Sequence, residues 1–307
     1  MEEFVVPVAS ETRDLAMADG AVLRLRRHGN PKGPRLVLCH GNGFATDAYW
    51  PFWRHLADRY DLVVYDQRNH GRNPRHDVAH HDVPYFADDM ERVIDGVRTR
   101  WGSKPTAGVF HSISAITAIL HASERGPRWD ALVLFDPPLV PSPGHPFHEL
   151  ARDFELGLAK WALTRPNRFN DPAHLAALFA KSKSLRRWVP GAHALMARSI
   201  LSRVDGGYEL ACPREGESRV YATNSRLDLA PRLAALGMPV KFVGSDPDDA
   251  EARAPGKVNR ALAEVHGHAY EAVPGTSHML QVEAPEACAR IVEDFLGRLG
   301  LAGAVLR

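Results

Sequence analysis

The chain has 307 residues, 45% hydrophobic and 24% charged, enough to bury one large core or a core with a smaller accessory unit. Its 38 Lys and Arg and 37 Asp and Glu nearly cancel, which gives no general electrostatic basis for nucleic acid or an anionic membrane surface as a partner. Three cysteines, Cys39, Cys212 and Cys288, lie far apart, which argues against a paired metal-ligand spacing, and their odd number argues against a disulfide framework. The start, MEEFVVPVASETRDLAMADG, lacks the basic-then-apolar layout of a signal peptide, and no apolar run approaches the roughly 20 residues of a membrane span. The expectation is a cytoplasmic, reducing compartment.

In chain order, FVVPV and AVLRLRR alternate, which predicts antiparallel edge strands around a turn at Asp19-Gly20. The continuous apolar runs RLVLCH, DLVVYD, TAGVF, ALVLFD and PVKFVG suit strands covered on both faces, as in a parallel sheet, and HAYEAV is a last strand. Helices are expected around 47–58, 84–101, 113–125, 252–265 and 284–299. Right-handed crossovers wind this order into an α/β fold, a mostly parallel sheet with helices on both faces.

A stretch from 138 to 230 interrupts the alternation. Five prolines, Pro137, Pro138, Pro141, Pro143 and Pro146, stop the strand ALVLFD. The residues that follow are helix-like, with Phe147, Phe154, Trp161, Phe169, Phe179 and Trp188 spread among them. The expected organisation is a core of residues 1–137 and 231–307 with a helical cap at 138–230.

Three stretches carry chemistry. In TAGVFHSISAITAIL a strand ends, Ser112 follows within two residues, and a helix-like run begins at once. That is the strand–turn–helix layout that holds a nucleophilic hydroxyl out on a tight turn, with a helix N-terminus behind it. Small residues are needed two positions either side; Ser114 satisfies this and Phe110 does not. The plain alternative is a serine in an ordinary strand-to-helix loop. Upstream, His40-Gly41-Asn42-Gly43 forms a flexible loop whose backbone N–H groups can point at an oxygen. With the N–H of Ile113 it would make an oxyanion hole, although a glycine-rich turn can also merely reverse the chain. Downstream, His278 stands in a Pro-Gly-led loop between the last strand and the last helix. One histidine among 16 is usually a solvated side chain; its place after the final strand singles this one out.

The HGNG loop, the DQRNHGRN segment, the HSIS elbow and GTSHMLQVEAPE, in this order and spacing, resemble the α/β-hydrolase family, in particular its capped serine hydrolases (esterase-like), over nearly the whole chain. The resemblance implies an eight-stranded sheet, a helical cap after the sixth strand and a Ser–acid–His triad. Phe110 at the elbow, and Asn73 where the family often has Ser, are departures; neither removes a reacting group. Asp66, Arg68 and His70 of DQRNHGRN are expected to shape a loop beside the site. The acid is open between two places: Asp246, first of the three carboxylates in GSDPDDA and preferred by family habit, and Asp136 in LVLFDPP as second choice.

The chemistry so implied is hydrolysis of a small-molecule carboxylic ester. Ser112 forms an acyl-enzyme, His278 is the base, and the N–H groups of Asn42 and Ile113 hold the oxyanion, with no metal or organic cofactor. Lactone, thioester, amide and carbon–carbon bond hydrolysis use the same triad. A non-hydrolytic ligand receptor and a cofactor-free lyase or oxygenase are alternatives of other classes. The partner is a small acyl substrate, and a cap of this length offers a surface for a homodimer.

Overall fold

The computed structural model describes residues 3–304. Strands β1 (Glu11–Ala16) and β2 (Val22–Gly29) form an antiparallel hairpin turning at Gly20, whose φ of 90° suits glycine. The first strand is therefore ETRDLA and not FVVPV. Pro7 offers no N–H to a ladder, and pairing begins only where the Ser10 N–H donates to the Arg27 carbonyl.

β3 (Arg35–Cys39) and β4 (Asp61–Tyr65) are parallel and buried along their whole length. Between them the expected helix at 47–58 breaks into short turns, Thr46–Tyr49, α1 (Trp50–Trp53) and Arg54–Leu56. Pro51 cannot donate to the Asp47 carbonyl, which takes the Trp50 N–H instead, and the Trp53 indole claims the Thr46 carbonyl at 3.0 Å. Helix α2 (Val83–Trp101), strand β5 (Thr106–His111), helix α3 (Ile113–Arg125) and strand β6 (Ala131–Phe135) follow as the apolar runs predict.

The insertion then holds α4 (His148–Thr164), β7 (Arg168–Phe169), α5 (Pro172–Lys181), α6 (Ala192–Ile200), β8 (Leu201–Val204), β9 (Gly207–Leu210) and α7 (Arg214–Asn224). It is not purely helical: β7, β9 and β8 make a small antiparallel sheet, with β8 and β9 joined by Asp205-Gly206. The chain returns to the main sheet with β10 (Val240–Ser245), α8 (Ala254–His266), β11 (Ala269–Val273), the single turn α9 (Leu280–Glu283) and α10 (Pro285–Arg298).

The main sheet has eight strands in the order β1-β2-β4-β3-β5-β6-β10-β11, parallel from β4 to β11. Alternate side chains feed two cores. Leu25, Val37, Val63 and Phe110 pack with α2, α3 and α8; Leu36, Leu38, Val64, Val109 and Val133 pack with α1 and α10. β5 and β6 lie side by side in the middle, with His111 opposite Phe135, so Ser112 and Asp136 leave the sheet at the same level. In open α/β sheets ligand sites form at these carboxyl ends.

Candidate active site

Ser112 follows the last residue of β5 and precedes the first of α3, with φ 54° and ψ −119°. A non-glycine residue held there is strained, by about 1–3 kcal/mol, and persists only where its surroundings demand it. Here the Ser112 N–H donates to the Phe135 carbonyl (2.9 Å) on the adjacent strand. The Ser112 side chain caps no backbone N–H of α3, so its hydroxyl is free for another partner. That partner is His278: Nε2 lies 3.0 Å from Ser112 Oγ.

The other ring nitrogen of His278 donates to Asp136 Oδ2 at 2.8 Å. Asp136 is fully buried and, like Ser112, has a positive φ, 43°. Its carboxylate also accepts from the Ser245 N–H, the Ser245 hydroxyl and the Asn259 amide, each at 3.1 Å, so both oxygens are fixed. The preference for Asp246 is therefore corrected, since the carboxylate on His278 is that of Asp136. Both candidates leave the carboxyl ends of neighbouring parallel strands, β6 and β10, so strand order alone does not choose between them and the hydrogen bonds do. Asp246 instead accepts from the Gly275 N–H (2.8 Å) and the Asp248 N–H (3.0 Å), bracing the loop that leads to His278. Asp248 and Asp249 face Arg260 and Arg187.

The HGNG loop runs beside the serine; a methyl group on Gly41 would lie 3.1 Å from Ser112 Cβ. The Gly41 N–H donates to the Tyr49 hydroxyl (3.2 Å) and the Gly43 N–H to His70 Nε2 (3.0 Å). Among the described residues the Asn42 N–H between them has no protein acceptor, and neither does that of Ile113 at the first position of α3. Two backbone donors without protein acceptors are thus present, one on the loop beside Ser112 and one on the residue that follows it.

Sequence reasoning passed over His111, which ties these parts together. Its Nε2–H donates to the His278 carbonyl (2.9 Å), and its Nδ1 accepts from the Tyr49 hydroxyl (2.8 Å). Acceptance by Nδ1 requires a neutral ring, and burial holds the His111 pKa well below the usual histidine range. Its place immediately before Ser112 was the available signal.

Phe110 is accommodated by Gly108, two residues earlier on the same face of β5; a side chain there would collide with the Phe110 ring. The ring packs edge-on to Trp129, centroids 5.5 Å apart. Asn73 fits its place by donating to the Asp66 and Gln67 carbonyls (2.7 and 2.9 Å) and accepting from the Arg24 N–H (2.8 Å). Asp66, Arg68 and His70 make a buried frame: Asp66 accepts from the Thr46 N–H (2.7 Å), Arg68 grips Asp89, and His70 holds Gly43. The potential ligand atoms of His70, His81 and Cys212 lie within 4.8 Å of one another. Both nitrogens of each ring are hydrogen-bonded, His81 Nε2 to Cys212 Sγ itself, so the group braces the loops. All three cysteines are buried free thiols whose pKa burial pushes up.

Of the six aromatic residues singled out between 138 and 230, Phe147 and Phe154 pack on one core and Phe169, Phe179 and Trp188 on the other. Trp161 is half exposed, with the Arg165 guanidinium 5.4 Å from its ring centroid. No helix among the described residues is long and apolar enough to cross a membrane.

Known proteins share this arrangement of elements. A solved E-2-(acetamidomethylene)succinate hydrolase superposes with a TM-score of 0.77 at 19% identity, covering 94% of this chain and 99% of that one. A Caulobacter sp. (strain K31) protein named as a carbamate hydrolase, RutD, is 26% identical over 274 residues, 88% of this chain and 93% of the relative. The 2-(acetamidomethylene)succinate hydrolase of Mesorhizobium japonicum is 24% identical over 286 residues, 89% of this chain and 91% of the relative. Residues 36–291 match the family described as the alpha/beta hydrolase family, and with most of its length so matched the chain belongs to that family.

Proposed function

We propose that the protein is a serine hydrolase that cleaves a small acyl substrate, a carboxylic ester or the corresponding amide or carbamate, through an acyl-enzyme on Ser112. The observation that carries this reading is the continuous chain Asp136–His278–Ser112, with links of 2.8 and 3.0 Å, ending on a serine at a strained elbow. Asp136 fixes the tautomer of His278 and stabilises the imidazolium; His278 removes the Ser112 proton as the oxygen attacks. The N–H groups of Asn42 and Ile113 hold the tetrahedral oxyanion. His278 then returns the proton to the leaving group and activates water against the acyl-enzyme. Residues 138–230 serve as the lid over this centre. The broadening from ester to acyl–nitrogen bonds follows the relatives named for carbamate and acetamidomethylene-succinate hydrolysis.

A series of p-nitrophenyl esters of graded acyl length, run beside Ser112→Ala, tests the proposal. Turnover of at least the short esters, reduced about 10⁴-fold or more by the substitution, is expected. Undiminished hydrolysis in Ser112→Ala would exclude the mechanism.

A further inference from the structure

The loop from β11 to His278 opens with a turn over Val273–Thr276, with Pro274 and Gly275 at its centre and Gly275 at φ 71°. The bond that closes this turn, from the Thr276 N–H to the Val273 carbonyl, is long at 3.4 Å. Other groups of the loop are fastened by the core. The Gly275 N–H donates to Asp246 (2.8 Å), and the Thr276 carbonyl accepts from the Asp246 N–H (3.2 Å). The Ser277 N–H donates to Glu283 (2.6 Å), and the His278 carbonyl accepts from His111 (2.9 Å). The Gly275 carbonyl differs. Among the described residues its one donor is Arg187 Nη1, 3.2 Å away, and Arg187 belongs to the insertion, between α5 and α6.

Arg187 is itself set in place. Its Nη1 lies 2.7 Å from Asp249 Oδ2 and its Nη2 3.6 Å from Glu251, both in the segment after β10, and its side chain is 24% exposed. Two residues on, the Val189 N–H donates to the Val282 carbonyl (3.0 Å), and Trp188 between them is buried. The insertion therefore holds the loop on both sides of the base, three residues before His278 and four after it. The second contact is main chain to main chain. The first depends on one guanidinium, whose planar fork serves a carboxylate and a carbonyl together; an ammonium on a flexible stem reproduces this only in part. His278 has to meet Ser112 at 3.0 Å and Asp136 at 2.8 Å at the same time, and a small displacement of such a group costs rate steeply.

Resting on the serine hydrolase reading, we propose that Arg187 is a positioning residue for His278. By holding the Gly275 carbonyl it couples the seating of the insertion to the alignment of the base. It acts through the turn and touches none of the reacting atoms.

The test is hydrolysis of 4-nitrophenyl acetate, with the Ser112→Ala rate subtracted, beside the rate at which a fluorophosphonate is captured. Arg187→Met keeps the bulk of the stem and loses the donors. It is expected to lower kcat about five- to tenfold and the capture rate by a similar factor, with KM changed less than about twofold. Arg187→Lys should lose only about two- to fourfold in both rates. Arg186→Met is the control, because Arg186 pairs with Glu251 without reaching the loop of the base, and it should keep both rates within about twofold. A merely structural role would lower the thermal transition of Arg187→Met and leave kcat of the folded protein intact; a substrate-binding role would appear in KM. Should Arg187→Met fail to fold, Arg187→Lys decides. Wild-type rates in folded Arg187 variants, a loss confined to KM, or an equal loss in Arg186→Met overturns the positioning role while leaving the hydrolase intact. Hydrolysis no faster than the Ser112→Ala background, with no capture at Ser112, overturns the underlying reading instead.

Discussion

Asp136 is held by Ser245 and Asn259 as well as by His278, so the carboxylate cannot rotate away from the imidazole it orients. Replacing it by Asn keeps the shape but offers an N–H where an acceptor is needed, which favours the wrong tautomer of His278. Asp136→Asn is expected to lower kcat by about 10⁴-fold. Asp246→Asn should lower it less than about tenfold, because Asp246 only ties Gly275 to its own loop. Steady-state kinetics of the two variants side by side decide the assignment, and a larger loss at Asp246 would reverse it. His111 acts at the same scale but through others. Its two hydrogen bonds join the Tyr49–Gly41 side of the HGNG loop to the backbone of His278, so neither loop moves independently of the elbow.

At the scale of elements, β5 depends on a pairing of large and small residues two positions apart. Phe110 fills the space that Gly108 leaves, and Leu132 on β6 closes it from the side. Gly108→Ala is expected to destabilise the fold by about 1–3 kcal/mol through overpacking. In a Phe110→Ala background the same change should cost clearly less, a coupling that urea denaturation of the double-mutant cycle measures. Additive losses would show that the ring and the glycine are independent.

Helices α4 and α7 meet through a different device. Glu155 on α4 is buried, with Oε2 accepting from the Asn224 amide (2.8 Å) on α7. Burial raises its pKa to about 8 from an ordinary 4.5. Between these values the folded protein keeps a proton that the unfolded chain has released. The contribution of Glu155 is complete below about pH 4.5 and is lost as pH rises through about 8, at up to about 1.4 kcal/mol per pH unit. Glu155→Gln should flatten the fall in urea midpoint between pH 5.5 and 8.5; an unchanged slope would show that Glu155 is not the group responsible.

Across the whole molecule, legibility in the sequence followed burial. RLVLC, DLVVY and ALVLF are covered on both faces, and their uninterrupted apolar character marked them as inner strands. β1 lies at the sheet edge, with charged side chains at three of its six positions, so no alternation announced it. The hairpin of β8 and β9 carried a readable signal, Asp205-Gly206 between two short runs, but the surrounding helical residues masked it. Ser112 and His278 were legible because their neighbours in sequence, a strand end and a strand-following loop, are also their neighbours in space. The carboxylate that meets His278 was not, because both candidates leave neighbouring strands at the same end of the sheet and only their hydrogen bonds separate them.

The central claim, that His278 and Asp136 make Ser112 a nucleophile, is tested most directly by covalent capture. The intact protein is treated with a fluorophosphonate and examined by mass spectrometry, with peptide mapping of the adduct. One adduct is predicted, on Ser112, absent from Ser112→Ala and formed far more slowly in His278→Ala and Asp136→Asn. An adduct on another residue, or none in a folded protein that still hydrolyses esters, would contradict it.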